Sequence, residues 1–227
     1  MSIWEVTVFL IGEYEEKELT FLSEFAVADG IFYLYGQQEK RFQKRYLRIL
    51  KMRGTDFEHG EHLFQITSSG IEVYPRIKPQ GKELQYEVRQ LRKGFGISEL
   101  DEMLDGGLKE GTITLLSGAT GTGKTVFSLK FLLEGVKNGE NGLFITFEEP
   151  VAQIIDNAKS MGWNIEKYIK EGTLSIKFIS PMELDVDKHA YEILDLIETN
   201  NVKRFVLDSI SSFEKSVFDE KKYKDYL

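Results

Sequence analysis

Two rhythms of apolar residues divide this chain. Up to residue 75 they come in short runs broken by glycine and charge, the signature of strands joined by turns. WEVTVFLI (4–11) and GIFYLYG (30–36) are β-branched and aromatic, and each predicts a strand. RYLRILKMR (45–53) and HLFQITSSGIEVYP (62–75), separated by GTDFEHGE, predict an antiparallel hairpin with a further strand after Gly70. The rhythm then stops. The stretch RIKPQGKELQYEVRQLRKG (76–94) is polar with a proline and a glycine near its start, which predicts a linker at 79–93, helical between Lys82 and Lys93.

From Ile97 onward the pattern alternates between helix and strand periods. ISELDEML, TITLLS, a helix from Gly123, GLFITFEE, PVAQIIDNAKSMG, TLSIKFIS, HAYEILDLIETN and RFVLDS follow one another in βαβ order. Crossovers of this length predict a mainly parallel sheet flanked by helices, with ligand at the strand ends. The fold class is therefore α/β, joined to an antiparallel hairpin region from the first part. The expected organisation is residues 1–78, a linker at 79–93 and residues 94–227.

Composition narrows the function. A chain of 227 residues with 41% apolar content suits one α/β domain or two small ones. No run of about 18 apolar residues occurs and the N-terminus lacks signal-peptide features, so a cytoplasmic location without membrane contact is expected. There is no cysteine, and His59, His62 and His189 match no ligand spacing. The net charge of −8 disfavours wholesale nucleic-acid binding. It is also uneven: residues 1–93 hold 14 basic and 14 acidic side chains, and residues 94–227 hold 15 and 23.

The strongest chemical signal is GATGTGKT (118–125), which matches G-x-x-x-x-G-K-[ST] between an expected strand at 112–117 and an expected helix. Gly118, Thr120, Gly121, Thr122 and Gly123 would turn backbone N–H groups toward phosphate, with Val126 in the first helical turn behind them. Lys124 would reach the β/γ-phosphates of ATP and Thr125 would ligate Mg²⁺. RFVLDS places Asp208 at the end of an apolar strand, the arrangement that holds a carboxylate near that metal. FITFEE ends a strand in Glu148 and Glu149, either of which suits a general base for water; the other reading is an acidic start to the helix after Pro150. In the basic run 40–53, Lys51 and Arg53 stand two apart beside Gly54 and so share one side of a strand, which suits a finger for phosphate charge. The remaining cations read as a charged hairpin edge.

GISELDEMLDGGLKEG, SGATGTGKT, FITFEE and RFVLDSISSFE, in this order, resemble the KaiC-like ATPases of the RecA superfamily. VTVFLIGE, EFAVADGIFYL and LKMRGTDFEHGEHLFQITSSGIEVYP resemble the segments that follow the metal-site strand in that family. The sequence departs at Phe95, where the family usually has a threonine that caps the next helix. The resemblance implies a RecA-like P-loop fold. It also implies that residues 1–78 correspond to the later half of a domain and residues 94–227 to the earlier half, with a further helix beginning at Asp219–Leu227. It implies a homo-oligomer, as a ring or an exchanged assembly, with nucleotide between subunits and with Lys51 and Arg53 supplied to a neighbour's Lys124 site. Assembly-dependent ATP hydrolysis is the expected function. The alternatives are a non-catalytic module that responds to nucleotide and, by superfamily analogy, a recombinase-like DNA-binding ATPase.

Overall fold

The structure, a computed structural model, describes residues 6–15, 18, 23–39, 42–77, 91–182 and 185–212. The chain divides into two units, residues 1–76 and 77–227.

In the first unit a short helix, α1 (Ser23–Val27), precedes four antiparallel strands, β1 (Gly30–Glu39), β2 (Phe42–Met52), β3 (His62–Thr67) and β4 (Gly70–Tyr74), ordered β1-β2-β3-β4. The expected hairpin is therefore present, with β2 meeting β3 from Arg45↔Phe64 to Leu47↔His62. Gly70 turns the chain into β4 at φ 121, a left-handed conformation that favours glycine. The register places Phe32, Leu34, Leu47, Phe64, Ile66, Ile71 and Val73 on one face. On the other face Tyr35 stacks with both Tyr33 and Tyr46, at centroid distances of 5.4 and 5.6 Å.

The strand expected at 4–11 is not formed over residues 6–11, which are irregular and expose Val6, Val8, Phe9, Leu10 and Ile11; residues 4 and 5 lie outside the described residues. Its composition suits a strand, but a strand exists only where a neighbour's backbone completes its ladder. Most of the helix expected at 82–93 also lies outside the described residues, as does the helix expected at 219–227. At its end, however, Arg92–Lys93 is a strand, β5, paired antiparallel with β6 (Leu108–Lys109).

The second unit continues with α2 (Ser98–Met103), α3 (Lys124–Lys137), β7 (Asn141–Thr146), α4 (Val151–Ser160), α5 (Ile165–Lys170), β8 (Leu174–Phe178), α6 (Val186–Thr199) and β9 (Val202–Asp208). The last three strands form a parallel sheet, β8-β7-β9. Alternate residues of β7 serve opposite faces. Phe144 packs with Leu129, Leu132, Leu133 and Val136 of α3, Ile154 and Ala158 of α4, and Ile165 of α5. Leu143 and Ile145 face the other way, with Phe147 and Ile179, against Ile193, Leu196 and Ile197 of α6. The α3 residues recur at i, i+3, i+4 and i+7, one stripe of a helix. A sheet covered on both faces explains why β7 reads as an unbroken apolar run.

TITLLS (112–117), expected as a strand, does not form one, and Ile113 and Leu115 are exposed. Its β-branched composition fits a pleated, half-buried surface, yet no ladder partner is present among the described residues. Among the described residues, the P-loop thus follows a segment outside any sheet.

Candidate nucleotide site

At the mouth of the second unit the loop is shaped by two left-handed glycines, Gly121 at φ 81 and Gly123 at φ 89. Thr122 donates from Oγ1 to the Ala119 carbonyl at 2.8 Å, closing the loop on itself around the exposed Thr120. Gly123 is the N-cap of α3 and supplies no side-chain cap, so the helix presents its N-terminal amides and partial positive charge at the loop, beside Val126 of the first turn. Lys124 Nζ folds back over the loop and donates to the carbonyls of Gly118 and Ala119, both at 2.9 Å. A cavity of about 290 Å³ lies between Ser117, Gly118, Lys124 and Phe127.

Thr125, next along α3, donates from Oγ1 to Asp208 Oδ2 at 2.7 Å. The two residues are 83 apart in sequence, and their meeting requires α3 to lie along β9 with its first turn level with the strand's end. The structure also separates the two glutamates that the sequence left together. Phe147 N–H donates to the Asp208 carbonyl at 2.8 Å, bringing the end of β7 beside the end of β9. Glu148 Oε1 then accepts from both Ser209 and Ser212 hydroxyls at 2.7 Å. Glu149 turns along α4, where Asn157 Nδ2 donates to its Oε2 at 3.4 Å, and its own N–H donates to Thr146 Oγ1.

Lys51 and Arg53 belong to the first unit and do reach one side together. Lys51 Nζ donates to the carbonyls of Phe25 and Ala26 at 3.0 and 3.3 Å, and Arg53 donates to Ala26 O at 3.1 Å and Asp29 Oδ1 at 3.2 Å. Both cations therefore sit at the C-terminal end of α1, where carbonyls lack helical partners. The histidines join no metal cluster among the described residues. His62 and His189 are buried, and burial holds the His189 pKa below its ordinary value.

Sequence reasoning missed Ser209 and Ser212, and it missed a buried charge cluster at the far end of β9. Arg204 Nε donates to Glu140 Oε2 at 2.7 Å, and Lys93 bonds the other oxygen of that carboxylate. Burial pushes the Glu140 pKa up, but the hydrogen bonds from Lys93 and Arg204 outweigh it and hold the carboxyl below its ordinary value. The one available signal was an arginine inside a strand, directly ahead of the apolar run Phe205–Leu207. At Phe95, where a threonine cap was the family expectation, Asp101 accepts instead from the N–H groups of Phe95 and Gly96 at 2.7 and 2.9 Å.

Among the described residues no helix is long and apolar enough to cross a membrane. The family model described as "ATPase: KaiC" matches residues 1–78 and 94–227. A circadian clock oscillator protein KaiC from Acaryochloris marina is 33% identical over 212 residues, covering 93% of this chain and 40% of that protein. The circadian clock protein KaiC3 from Synechocystis is 33% identical over 223 residues, covering 98% of this chain and 43% of its own length. A KaiC from Rippkaea orientalis is 34% identical over 212 residues, with 93% and 40% covered. The chain thus spans about two fifths of the length of these relatives. With the α/β architecture, the loop at the head of α3 and matches over most of its length, the chain belongs to the KaiC ATPase family of the RecA superfamily.

Proposed function

We propose that the chain binds ATP with Mg²⁺ at GATGTGKT and hydrolyses it in a homo-oligomer, Lys51 and Arg53 of one copy acting on nucleotide held by another. The 2.7 Å bond between Thr125 Oγ1 and Asp208 Oδ2 carries this reading. A hydroxyl and a carboxylate oxygen are donors that Mg²⁺ accepts beside phosphate oxygens and water, so the residues present fit the ion. Thr125 and Asp208 would hold the ion, and it would supply positive charge against the phosphate oxygens. Lys124 would exchange its two carbonyl partners for the β/γ-phosphates, and the amides around Gly121 and Gly123 would cradle the remaining oxygens.

Glu148 is the base in this reading. It accepts the proton of the attacking water as that oxygen bonds the γ-phosphorus and the bond to the departing ADP oxygen breaks. Ser209 and Ser212 steady one of its carboxylate oxygens. Glu149 contributes negative charge ahead of α4, where a helix N-terminus favours it. Residues 1–78 are read as the later half of a KaiC-type domain, 79–93 as a linker and 94–227 as the earlier half; the family match to 1–78 and 94–227 supports this reading.

A second reading of Lys51 and Arg53 has its own observation. Their bonds to Phe25, Ala26 and Asp29 suit a pair that fastens α1 to β2 rather than one that reaches nucleotide. Single-turnover hydrolysis over a range of protein concentration separates the two. A finger in trans predicts rates that rise with assembly, little change in ATP affinity for Arg53→Ala, and loss of turnover of about 10³–10⁵. Mixing Arg53→Ala with Lys124→Ala chains should restore part of the rate, because some interfaces then join an intact finger to an intact loop. Unchanged turnover in Arg53→Ala, or no recovery among subunits shown to exchange, leaves only the fastening role.

A further inference from the structure

Arg204 is 3% exposed, and a guanidinium keeps its proton throughout the physiological range. Its donors are matched to fixed acceptors. Besides the bond from Nε to Glu140, Nη1 donates to the Gly94 carbonyl at 2.5 Å and the Phe131 carbonyl at 2.8 Å. The guanidinium carbon stands 4.6 Å from the centre of the Phe131 ring. Gly135 makes the room, since a Cβ there would lie 2.5 Å from Arg204 Cδ. Four pieces of chain meet at this one side chain: β9, the middle of α3, Glu140 ahead of β7, and the segment 92–96 that leads into the unit.

An aromatic path continues from there toward the loop. Phe95 is 6% exposed, and its ring centroid lies 4.8 Å from that of Phe127 and 5.1 Å from that of Phe131. Phe127 also walls the cavity beside Gly118 and Lys124. Contact therefore runs from Arg204 through Phe131 and Phe95 to Phe127 and the loop.

The two ends of β9 hold α3 at two points. At one end Asp208 meets Thr125; at the other Arg204 meets Phe131. Six residues separate the helix points, about 9 Å at the helical rise, and four separate the strand points, about 13 Å at the strand rise. A helix fastened twice keeps its angle to the sheet, whereas one fastened only at its first turn can pivot there.

We infer that Arg204, together with Phe95, is a positioning residue for the nucleotide site: the pair straps segment 92–96 onto α3 and so holds Lys124 and Thr125 in register with Asp208. Its functional consequence rests on the nucleotide reading above, so its test has one arm that needs no nucleotide. In the full chain without nucleotide, Arg204→Lys keeps the charge but loses the fork. Hydrogen exchange should then quicken across the peptide spanning Thr125 to Phe131, beyond the change in an Ile165→Val control, which loosens the same core away from the strap. In the second arm, the Kd for ATP is measured with and without Mg²⁺. The ratio of the Kd without Mg²⁺ to the Kd with it should fall about 10- to 100-fold in Arg204→Lys, the range seen when a group supporting a metal ligand is lost, and should hold in Ile165→Val. If Arg204→Lys does not fold, Phe95→Leu carries both measurements. Exchange and ratio that track thermal stability alone, equal to the control at equal loss of melting temperature, would overturn the inference. If the unaltered chain binds no ATP, the nucleotide reading fails and the exchange arm still decides whether the strap positions α3.

Discussion

β7 and the antiparallel sheet of the first unit are both rich in apolar residues, yet they bury them very differently. In β7, Leu143, Phe144 and Ile145 have no accessible surface, while Phe32, Leu34, Ile66, Ile71 and Val73 stay exposed on one face of the β1–β4 sheet, around the buried Phe64 and His62. Connectivity explains the difference. Parallel strands are joined by helices, so α3, α4, α5 and α6 arrive in sequence order as the covering layers of β7. Antiparallel strands are joined by turns, and their connections bring no layer with them. An alternating pattern names the apolar face of a strand; it does not name what covers it.

Truncation of the centre of each region should widen this contrast most. Phe144→Ala removes a fully buried ring from the core that β7 shares with three helices and should lower stability by about 3–5 kcal/mol, read as the shift in a urea midpoint. Leu34→Ala, on the exposed face, should stay within about 0.5 kcal/mol. Similar losses at both sites would show that the first-unit face is covered in solution.

A smaller effect tests whether charge reinforces the second unit where packing is already dense. Glu140→Gln should weaken the bonds to Arg204 and Lys93 and lower stability near pH 7 by about 1.5–3 kcal/mol. The folded carboxyl has a pKa below its ordinary 4.5, so the native state holds fewer protons than the unfolded one in that window. Its contribution is complete above pH 4.5 and is lost as pH falls through the folded value. The acid limb of the stability curve should therefore be flatter in Glu140→Gln. An unchanged limb would show that Lys93 and Arg204 do not hold the Glu140 carboxyl below its ordinary pKa.

The smallest effect belongs to the first unit's own ion pair. Arg53 and Asp29 are bonded at 3.2 Å but lie largely in solvent, so Asp29→Asn should change the urea midpoint by no more than the equivalent of about 0.2–1 kcal/mol. A larger loss would mean that the fastening of α1 organises the whole sheet.

Much of the second unit was legible because its signals are local. The stripe Leu129, Leu132, Leu133, Val136 specifies α3, the apolar run 142–146 specifies β7, and GATGTGKT specifies the turn between loop and helix. The failures share a cause too. TITLLS and VTVFLI carry strand composition, but a strand needs a neighbour, and composition does not supply one. The Arg204 cluster draws on residues 93, 94, 131, 140 and 204, whose spacing has no period to read. Glu148 and Glu149 are adjacent in sequence and became distinct only when Ser209, Ser212 and Asn157 were brought to them by the fold. Lys51, near the end of β2, and Arg53, just beyond it, bond to groups 24 to 27 residues back, which their spacing does not name.

The most direct test of the central claim is the melting temperature of the chain with and without Mg·ATP, measured beside Lys124→Ala. A ligand bound only by the folded state at a hundredfold excess over Kd adds about 2.7 kcal/mol. The native chain should show a clear upward shift, most of it absent in Lys124→Ala. No shift in the native chain at millimolar Mg·ATP, or an equal shift in both, would contradict the central claim.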